Sequence, residues 1–136
     1  MKKILITGSN GQLGREFHKY FKNHSDYNVK YTSHSISEVD GDHITSLDIT
    51  DLDQVRKTAM EFIPEIIINC AAFTAVDLCE TEQEKAYQIN AIGPKNLAIV
   101  AEEISAELVH FSTDYVYDGL AKEPYIESAT PNPQSV

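Results

Sequence analysis

The sequence is poor in basic residues, and this shortage restricts the partners it can have. Its 136 residues include 11 Lys and Arg against 21 Asp and Glu, so the net charge is −10. Such a surplus of carboxylates argues against nucleic acid or an anionic membrane surface as the main partner. A small anionic ligand is not excluded, because backbone dipoles hold phosphates even in acidic proteins.

Long apolar segments are missing as well, and cysteines are few. No apolar run reaches the length of a transmembrane helix, and the run Ile4–Ile6 behind Lys2 and Lys3 is too short for a signal peptide. Cys70 and Cys79 form no CxxC pair, and the sequence around them offers no set of metal ligands. We therefore expect a cytoplasmic protein with two reduced thiols, no metal site and no membrane contact.

Strand-like and helix-like segments alternate along the chain. Apolar or β-branched runs predict strands at 3–7, 28–33, 43–47, 65–69 and 107–111, the third of them weakly. The polar segment 35–42 is predicted to be a loop, as is everything after residue 111. This alternation predicts one α/β domain, residues 1–136, with a Rossmann-type doubly wound parallel sheet and helices on both faces.

Three helices are predicted between these strands. The first follows the glycines of the amino-terminal segment and has apolar residues at every fourth position, ending with Phe21. The second starts from a capping box at Thr50 and stops before Pro64, and the third runs from a capping box at Thr81 to about Glu103. A kink or break is expected in the third helix near Gly93 and Pro94.

Gly8, Gly11 and Gly14 follow the first strand at intervals of three, in TGSNGQLG. A glycine-rich turn between a strand and a helix is the setting of a dinucleotide-binding fingerprint. Gly8 would allow the tight turn, Gly11 would let a pyrophosphate approach the backbone, and Gly14 would let the helix pack closely. The phosphates would lie on unpaired N–H groups at the positive end of the helix. The pattern therefore predicts NADPH or NADH as the cofactor.

The end of the second strand bears on which of the two dinucleotides is bound. In many Rossmann domains a carboxylate at this position holds the adenosine ribose. This chain has Thr32, Ser33 and His34 instead, so a 2′-phosphate would not be repelled, and Ser33 or a protonated His34 could contact it. The residues favour NADPH, or acceptance of both cofactors. The alternative is a solvated loop with no part in the choice.

Four motifs and the tail together resemble a known family. They are TGSNGQLG (7–14), NCAAFTAVDLCE (69–80), YQINAIGPKNLA (87–98), STDYVYDG (112–119) and the tail PYIESATPNPQSV (124–136). They resemble the extended short-chain dehydrogenase/reductase family, and within it the enzymes that reduce dTDP-4-dehydro-L-rhamnose to dTDP-L-rhamnose for cell-surface polysaccharide synthesis. The second and fourth motifs are far more specific than the glycines.

The resemblance implies roles for individual residues. Thr113 matches the catalytic Ser or Thr that hydrogen-bonds the substrate carbonyl, although a turn-forming Thr is the alternative. Val76 and Asp114 fall, with Thr113, where the dTDP-sugar substrate would pass. Cofactor contacts are implied for Gly8, Asn10, Gly11, Gln12 and Leu13 at the pyrophosphate, Asp48 and Ile49 at the adenine, Ala71, Ala72 and Thr74 on the path to the nicotinamide, and Phe111 and Ser112 at the nicotinamide ribose.

Three more residues are open to interpretation. Asn90, an unfavourable residue inside a helix, would either hold a water of a proton relay or satisfy the backbone at a kink. Tyr115 and Tyr117 alternate along an extended segment, and core packing is favoured for both. Neither has a Lys four residues downstream, as the acid tyrosine of the family has.

The Tyr-x-x-x-Lys motif of the family would follow the proline-containing tail, and the sequence reaches Val136 without it. We therefore interpret the chain as the amino-terminal part of a longer reductase, without its sugar-nucleotide-binding part, and expect very slow turnover from these residues alone. A homodimer is an option for the full-length protein. Two alternatives stay open, a non-catalytic dinucleotide-binding regulatory module and a nucleotide-sugar epimerase.

Overall fold

The computed structural model describes residues 1–39 and 41–136, and these residues form a sheet with helices on both faces. The strands are β1 (Lys2–Thr7), β2 (Tyr27–Ser33), β3 (Ser37–Val39), β4 (Asp42–Ser46), β5 (Ile66–Asn69) and β6 (Glu107–His110). The helices are α1 (Gln12–Phe21), α2 (Leu52–Phe62), α3 (Val76–Thr81), α4 (Gln83–Tyr87) and α5 (Gly93–Ile104). A π-helical segment (Gln88–Ile92) and a 3-10 turn (Asp114–Val116) complete the regular structure of this part of the chain.

The strand order is β3-β4-β2-β1-β5-β6, and it confirms the Rossmann-type doubly wound sheet. Neighbouring strands from β4 to β6 pair in parallel, while β3 pairs antiparallel with β4 at one edge. The strands β2, β3 and β4, which follow β1 in the chain, lie on one side of it. The chain then crosses back, and β5 and β6 lie on the other side of β1. The carboxyl ends of β1 and β5 therefore form a topological switch point, where open α/β sheets bind their ligands.

Apolar side chains from the two faces of the sheet form two separate clusters. On one face, Ile67 of β5 packs with Val55 of α2 and Leu97 of α5, and all three are fully buried. On the other face, Ile6 of β1 packs against α1 through Phe17. Coverage on both faces accounts for the unbroken apolar runs of β1 and β5, since alternation is needed only where one face meets water.

Part of the segment predicted to be a loop, 35–42, is a strand, so that prediction was wrong. Ser37–Val39 forms β3, which pairs with β4 and buries Val39. A three-residue strand with one apolar side chain carries almost no periodic signal of its own, because its partner strand supplies the pairing. Asp40, within the same segment, lies outside the described residues.

Two of the predicted helix starts were also wrong. Asp51, and not Thr50, caps α2, because its carboxylate accepts hydrogen bonds from the backbone N–H groups of Asp53 at 3.0 Å and Gln54 at 3.1 Å. These bonds, led by that from Gln54, lower the pKa of Asp51 below its usual value. Thr81 is the last residue of α3, and its hydroxyl donates back into that helix, so it does not start a new one.

The third predicted helix is divided into pieces. Its range, from Thr81 to about Glu103, contains α4, the π-helical segment Gln88–Ile92 and α5. The preceding helix α3, which ends at Thr81, was not predicted. This π-helical segment interrupts the regular helix where a kink or break is predicted, near Gly93 and Pro94. Pro94 has no backbone N–H to donate to the carbonyl of Asn90, four residues earlier. Its absence interrupts the α-helical hydrogen-bond pattern just before α5. None of the helices formed by the described residues has both the length and the apolar character needed to cross a bilayer.

Candidate functional site

Gly8 and Gly14 fit the turn after β1 for steric reasons. Gly8 has a φ of +66°, and a Cβ built on it would lie 2.5 Å from the backbone nitrogen of Ala71. A Cβ on Gly14 would lie 2.5 Å from the carbonyl oxygen of Gly8 and from Cα of Ser9. Gly8 therefore allows both the turn and the approach to the end of β5, while Gly14 lets α1 pack on the turn itself.

Gly11 is less crowded than Gly8 and Gly14. A Cβ on Gly11 would make one tight contact, 3.2 Å from the carbonyl oxygen of Gly8. Gly11 also precedes α1 and provides no side-chain cap, and the hydrogen bond from Arg15 N to Gly11 O opens the helix. The backbone N–H groups of residues 12–14 come before this first bond, at the positive end of the helix. The arrangement fits a bound diphosphate.

Ser9 fixes the glycine turn to the neighbouring strand, a role that the sequence analysis missed. Its buried hydroxyl donates to the carbonyl of Ile6 at 3.0 Å and accepts from the backbone N–H of Thr32 at 3.2 Å. Its own N–H donates to the carbonyl of Thr32 at 3.0 Å. The turn is therefore held in one conformation by β1 and β2 before any ligand arrives.

A cavity of about 220 Å³ lies at the switch point beside Gly11. It brings together seven of the predicted cofactor residues, namely Gly8, Asn10, Gly11, Asp48, Ile49, Ala71 and Ala72. Its lining also includes Ser33 and His34, the two residues considered for dinucleotide choice, and three that were not predicted, namely Leu47, Cys70 and Ile89. Burial raises the pKa of the Cys70 thiol to about 11, so it stays protonated at neutral pH and contributes an apolar wall.

The remaining predicted site residues do not line this cavity. Gln12 and Leu13 lie in the first turn of α1, and Val76 begins α3. Thr74 and the residues Phe111, Ser112, Thr113 and Asp114 are exposed on the loops after β5 and β6. Among the residues described, no cluster of three or more His, Cys, Asp or Glu side chains is arranged to hold a metal ion.

Asn69 joins the ends of three strands beneath the cavity. It is almost fully buried, and its Oδ1 accepts from the Thr7 hydroxyl at 2.5 Å and from the backbone N–H of Ala71 at 3.1 Å. Its Nδ2 lies 3.0 Å from Nδ1 of His110. Because Thr7, Asn69 and His110 end β1, β5 and β6, this single amide sets the spacing of the strand ends that surround the cavity.

Two asparagines fasten the loops beside the cavity. Asn90, in the π-helical segment, accepts from Phe73 N at 2.8 Å and donates to Phe73 O at 2.9 Å. Asn96 donates to the carbonyls of Ile49 and Thr50 at 3.0 Å each. Asn90 therefore hydrogen-bonds backbone groups, which is one of the two roles predicted for it. The backbone in question is that of Phe73, in the loop after β5, and not that of the kinked helix.

Thr113 caps the 3-10 turn that follows β6. Its hydroxyl oxygen accepts from the backbone N–H of Tyr115 at 3.1 Å, and the side chain remains exposed. Because residues 114–116 form a turn, Tyr115 and Tyr117 do not share one side of an extended segment. Core packing was wrong for Tyr115, which is 52% exposed. Tyr117 is half-buried and stacks on Tyr125 with ring centroids 4.3 Å apart, outside the two core clusters.

A larger cavity of about 630 Å³ adjoins the first one. The two cavities share His34, Asp48 and Ile89 in their linings. The larger one is also lined by Thr81–Lys85, at the junction of α3 and α4. The shared residues after β2 and β4 therefore border both cavities.

The chain is similar to known proteins in sequence and in fold. The chain matches the RmlD substrate binding domain family over residues 1–136. It is 51% identical to a dTDP-4-dehydrorhamnose reductase from Clostridium acetobutylicum, with a TM-score of 0.87 over 98% of this chain and 44% of that one. It is 38% identical to the Bacillus anthracis dTDP-4-dehydrorhamnose reductase solved in complex with NADP, with a TM-score of 0.88 over 99% of this chain and 45% of that one.

A relative of a different kind also matches. The methionine adenosyltransferase 2 subunit beta of Xenopus tropicalis is 36% identical over 132 residues, which are 97% of this chain and 38% of the relative. The chain thus spans less than half the length of the proteins it matches. Since the family match covers every residue, the chain belongs to the RmlD substrate binding domain family.

Proposed function

We propose that residues 1–136 form the dinucleotide-binding part of an NAD(P)H-dependent reductase. In its full length this enzyme would reduce dTDP-4-dehydro-L-rhamnose, a dTDP-4-keto-6-deoxysugar, to dTDP-L-rhamnose. The observation that carries the proposal is the bare backbone at Gly11, which opens the positive end of α1 into the cavity at the switch point. The NADP bound by the Bacillus anthracis relative supports the choice of ligand.

The reduced dinucleotide would supply the hydride, and the residues of this chain would bind and orient it. The backbone around Gly11 would hold the diphosphate, and Asp48 and Ile49 would flank the adenine. Ala71 and Ala72 leave room along the end of β5, because their side chains are small.

Thr113, Val76 and Asp114 would contact the sugar nucleotide. The Thr113 hydroxyl is exposed after the carboxyl end of β6, where it could donate a hydrogen bond to the ketone oxygen and stabilise the charge that develops there. A ketone that accepts hydride also needs an acid for the resulting alkoxide. No Tyr-x-x-x-Lys motif occurs in these 136 residues, so we expect this chain to bind the dinucleotide and to turn over very slowly.

A non-catalytic regulatory module is the second candidate. The similarity to a subunit of methionine adenosyltransferase favours it, because that relative matches over nearly the whole chain. The two candidates share the dinucleotide site and differ in the need for an acid. A Tyr-x-x-x-Lys motif soon after residue 136 in the natural gene would support the reductase, and its absence would support the module.

Titration of the chain into NADPH, followed by nicotinamide fluorescence, tests the shared part of the proposal. The wild-type chain should bind. Gly11→Ala should keep the melting temperature within a few degrees and weaken binding by about tenfold or more, because its methyl group projects where the diphosphate would lie. Gly119→Ala is a control for a methyl group added outside the cavity. Its φ of +73° strains the backbone at this position, so the variant should lose some stability, but it should bind NADPH like the wild type.

Absence of NADPH and NADH binding to the folded wild-type chain would overturn the proposal. Equal binding by Gly11→Ala and the wild type would contradict the assignment of the diphosphate to the glycine turn. Addition of the dTDP-ketosugar to the NADPH complex tests the catalytic part. Turnover by this chain at the rate of a complete reductase would refute the argument that an additional acid is required.

A further inference from the structure

We propose that Gly93, at the start of α5, is a positioning residue that keeps the side chain of Ile49 out of the dinucleotide cavity. The inference rests on the proposed function, since Ile49 lines that cavity and is the residue assigned to the adenine. Gly93 is buried against Ile49 and is not part of the lining. It would therefore act through Ile49 and not by touching the ligand.

The backbone at Gly93 does not itself require glycine. Its φ of −54° and ψ of −58° are values that any residue adopts in a helix. Glycine is unfavourable in helical backbone, because it loses more conformational entropy on folding than other residues do. The reason for a glycine at this buried position therefore lies in its surroundings.

Those surroundings consist of one side chain. A Cβ built on Gly93 would lie 2.5 Å from Cδ1 and 2.7 Å from Cγ1 of Ile49, and its third neighbour is the Cβ of Ile49 at 3.6 Å. The first two distances are too short for carbon atoms, whereas the third is an ordinary contact. Any side chain at residue 93 would thus displace the outer carbons of Ile49 and nothing nearer.

The main chain of Ile49 is held and cannot easily withdraw from such a methyl group. Asn96, three residues after Gly93 and also buried, donates through Nδ2 to the carbonyls of Ile49 and Thr50 at 3.0 Å each. Both bonds come from α5, the helix that would carry the new methyl group. The side chain of Ile49 would therefore have to turn while its backbone stayed in place.

The cavity is the space into which the Ile49 side chain would turn. Ile49 belongs to the buried cluster that includes Val55 and Leu97, and both of these are fully buried, so this side is closed. The cavity of about 220 Å³ that Ile49 lines is open. A displaced Ile49 would occupy part of the volume proposed for the adenine, and the close packing at Gly93 would prevent this in the wild type.

A double-mutant cycle on NADPH affinity, followed by nicotinamide fluorescence of the 136-residue chain, tests the inference. Gly93→Ala should raise the Kd by about tenfold. Ile49→Ala removes both carbons that the new methyl group would meet, and serves as the second background. In that background Gly93→Ala should change the Kd by less than about twofold. NADH carries the same adenine and should show the same pattern.

The control for a purely structural effect is Val100→Ala, two turns further along α5. Val100 is fully buried and lines neither cavity. Its truncation should lower the melting temperature and leave the Kd for NADPH within about twofold of the wild type. A loss of affinity in Gly93→Ala that follows melting temperature alone would appear in Val100→Ala as well, and this result would contradict the inference.

The outcomes separate this inference from the function on which it rests. Wild-type affinity of Gly93→Ala, or an equal loss in both backgrounds, would overturn the role of Gly93 while leaving the dinucleotide site supported. If Gly93→Ala did not fold, the double variant would decide, since it should fold and bind like Ile49→Ala; its failure to fold would overturn the contact with Ile49 as the cause. If the folded wild-type chain bound neither dinucleotide, the proposed function would fail as well.

Discussion

His18 of α1 and Asp42 of β4 are joined by a bond of 3.1 Å between Nδ1 and Oδ2, although His18 is fully buried. The imidazole stacks on Tyr31 with ring centroids 3.6 Å apart. Its Nε2 has no hydrogen-bond partner among the described residues, so the bond to Asp42 is the polar contact of this ring. Burial, with a smaller contribution from Asp42, raises the pKa of Tyr31 to about 12.

Removal of the Asp42 carboxylate should destabilise the protein. Asp42→Ala would leave the Nδ1–H of His18 buried without an acceptor, at a cost of about 1–3 kcal/mol in the free energy of unfolding. Urea unfolding followed by circular dichroism measures this loss. His43→Ala, on the same strand but exposed, should change the free energy by no more than about 0.5 kcal/mol.

A second variant separates the hydrogen bond from packing. His18→Phe fills much of the same space and removes both ring nitrogens, so it should cost less than Asp42→Ala, since no buried donor is left unpaired. Equal stability of Asp42→Ala and His43→Ala would show that the bond between His18 and Asp42 contributes nothing.

Asn69 should be needed for both stability and dinucleotide binding. Asn69→Ala removes the acceptor of the Thr7 hydroxyl and of the Ala71 N–H, and should lower the free energy of unfolding by about 1–3 kcal/mol. Because the strand ends around the cavity lose their common partner, NADPH affinity should fall as well. Chemical unfolding and NADPH titration measure the two effects.

The matched control for Asn69 is Asn28→Ala on β2. Asn28 is exposed and lies at the opposite end of its strand from the cavity, so the same substitution should leave NADPH affinity unchanged. A stable Asn69→Ala protein with wild-type affinity would mean that the strand ends keep their spacing without this amide.

The tail after β6 should loosen in acid because of Asp118. This carboxylate accepts from the Tyr125 hydroxyl at 2.6 Å, from Leu120 N at 3.0 Å and from Asn132 Nδ2 at 3.0 Å. The bonds, led by that from Tyr125, lower the pKa of Asp118 from 3.8 to about 2. Since the folded pKa lies below the ordinary one, the stabilisation is complete above 3.8 and is lost as the pH falls towards about 2.

NMR titration of the Asp118 carboxyl checks this prediction. Tyr125→Phe removes the largest contribution and should move the titration midpoint upward, towards 3.8. Asp118→Asn should reduce amide protection at Leu120 already at neutral pH. A midpoint that does not move in Tyr125→Phe would contradict the assignment of the shift to that hydroxyl.

The fold was predictable where local sequence and burial agree. β1 and β5 are unbroken apolar runs because both of their faces are covered. β3 was missed because its pairing depends on β4, and α3 was missed because Thr81 resembles a helix start while it ends one. In each case the deciding partner is another segment, which a local pattern does not include.

The candidate site was predictable to a similar extent. Steric requirements identify Gly8 and Gly14 from their spacing, and the structure agrees. The residues Cys70 and Ile89 reach the cavity only through the packing of β5 and the π-helical segment, and nothing in their immediate sequence indicates it. Whether the turn-capping hydroxyl of Thr113 also acts in catalysis stays a prediction, as do the roles of Val76 and Asp114.

The two edges of the sheet differ in a way that affects how the protein behaves at high concentration. At one edge lies β3, an antiparallel strand of three residues. It is too short to pair along its length with a long strand from another molecule. At the other edge, β6 pairs only with β5 among the described residues, and Val109 is 41% exposed there, followed by Phe111, which is 46% exposed. Strand addition, including aggregation between copies of this chain, should therefore proceed from β6, and a lysine at Val109 would be the substitution that opposes it.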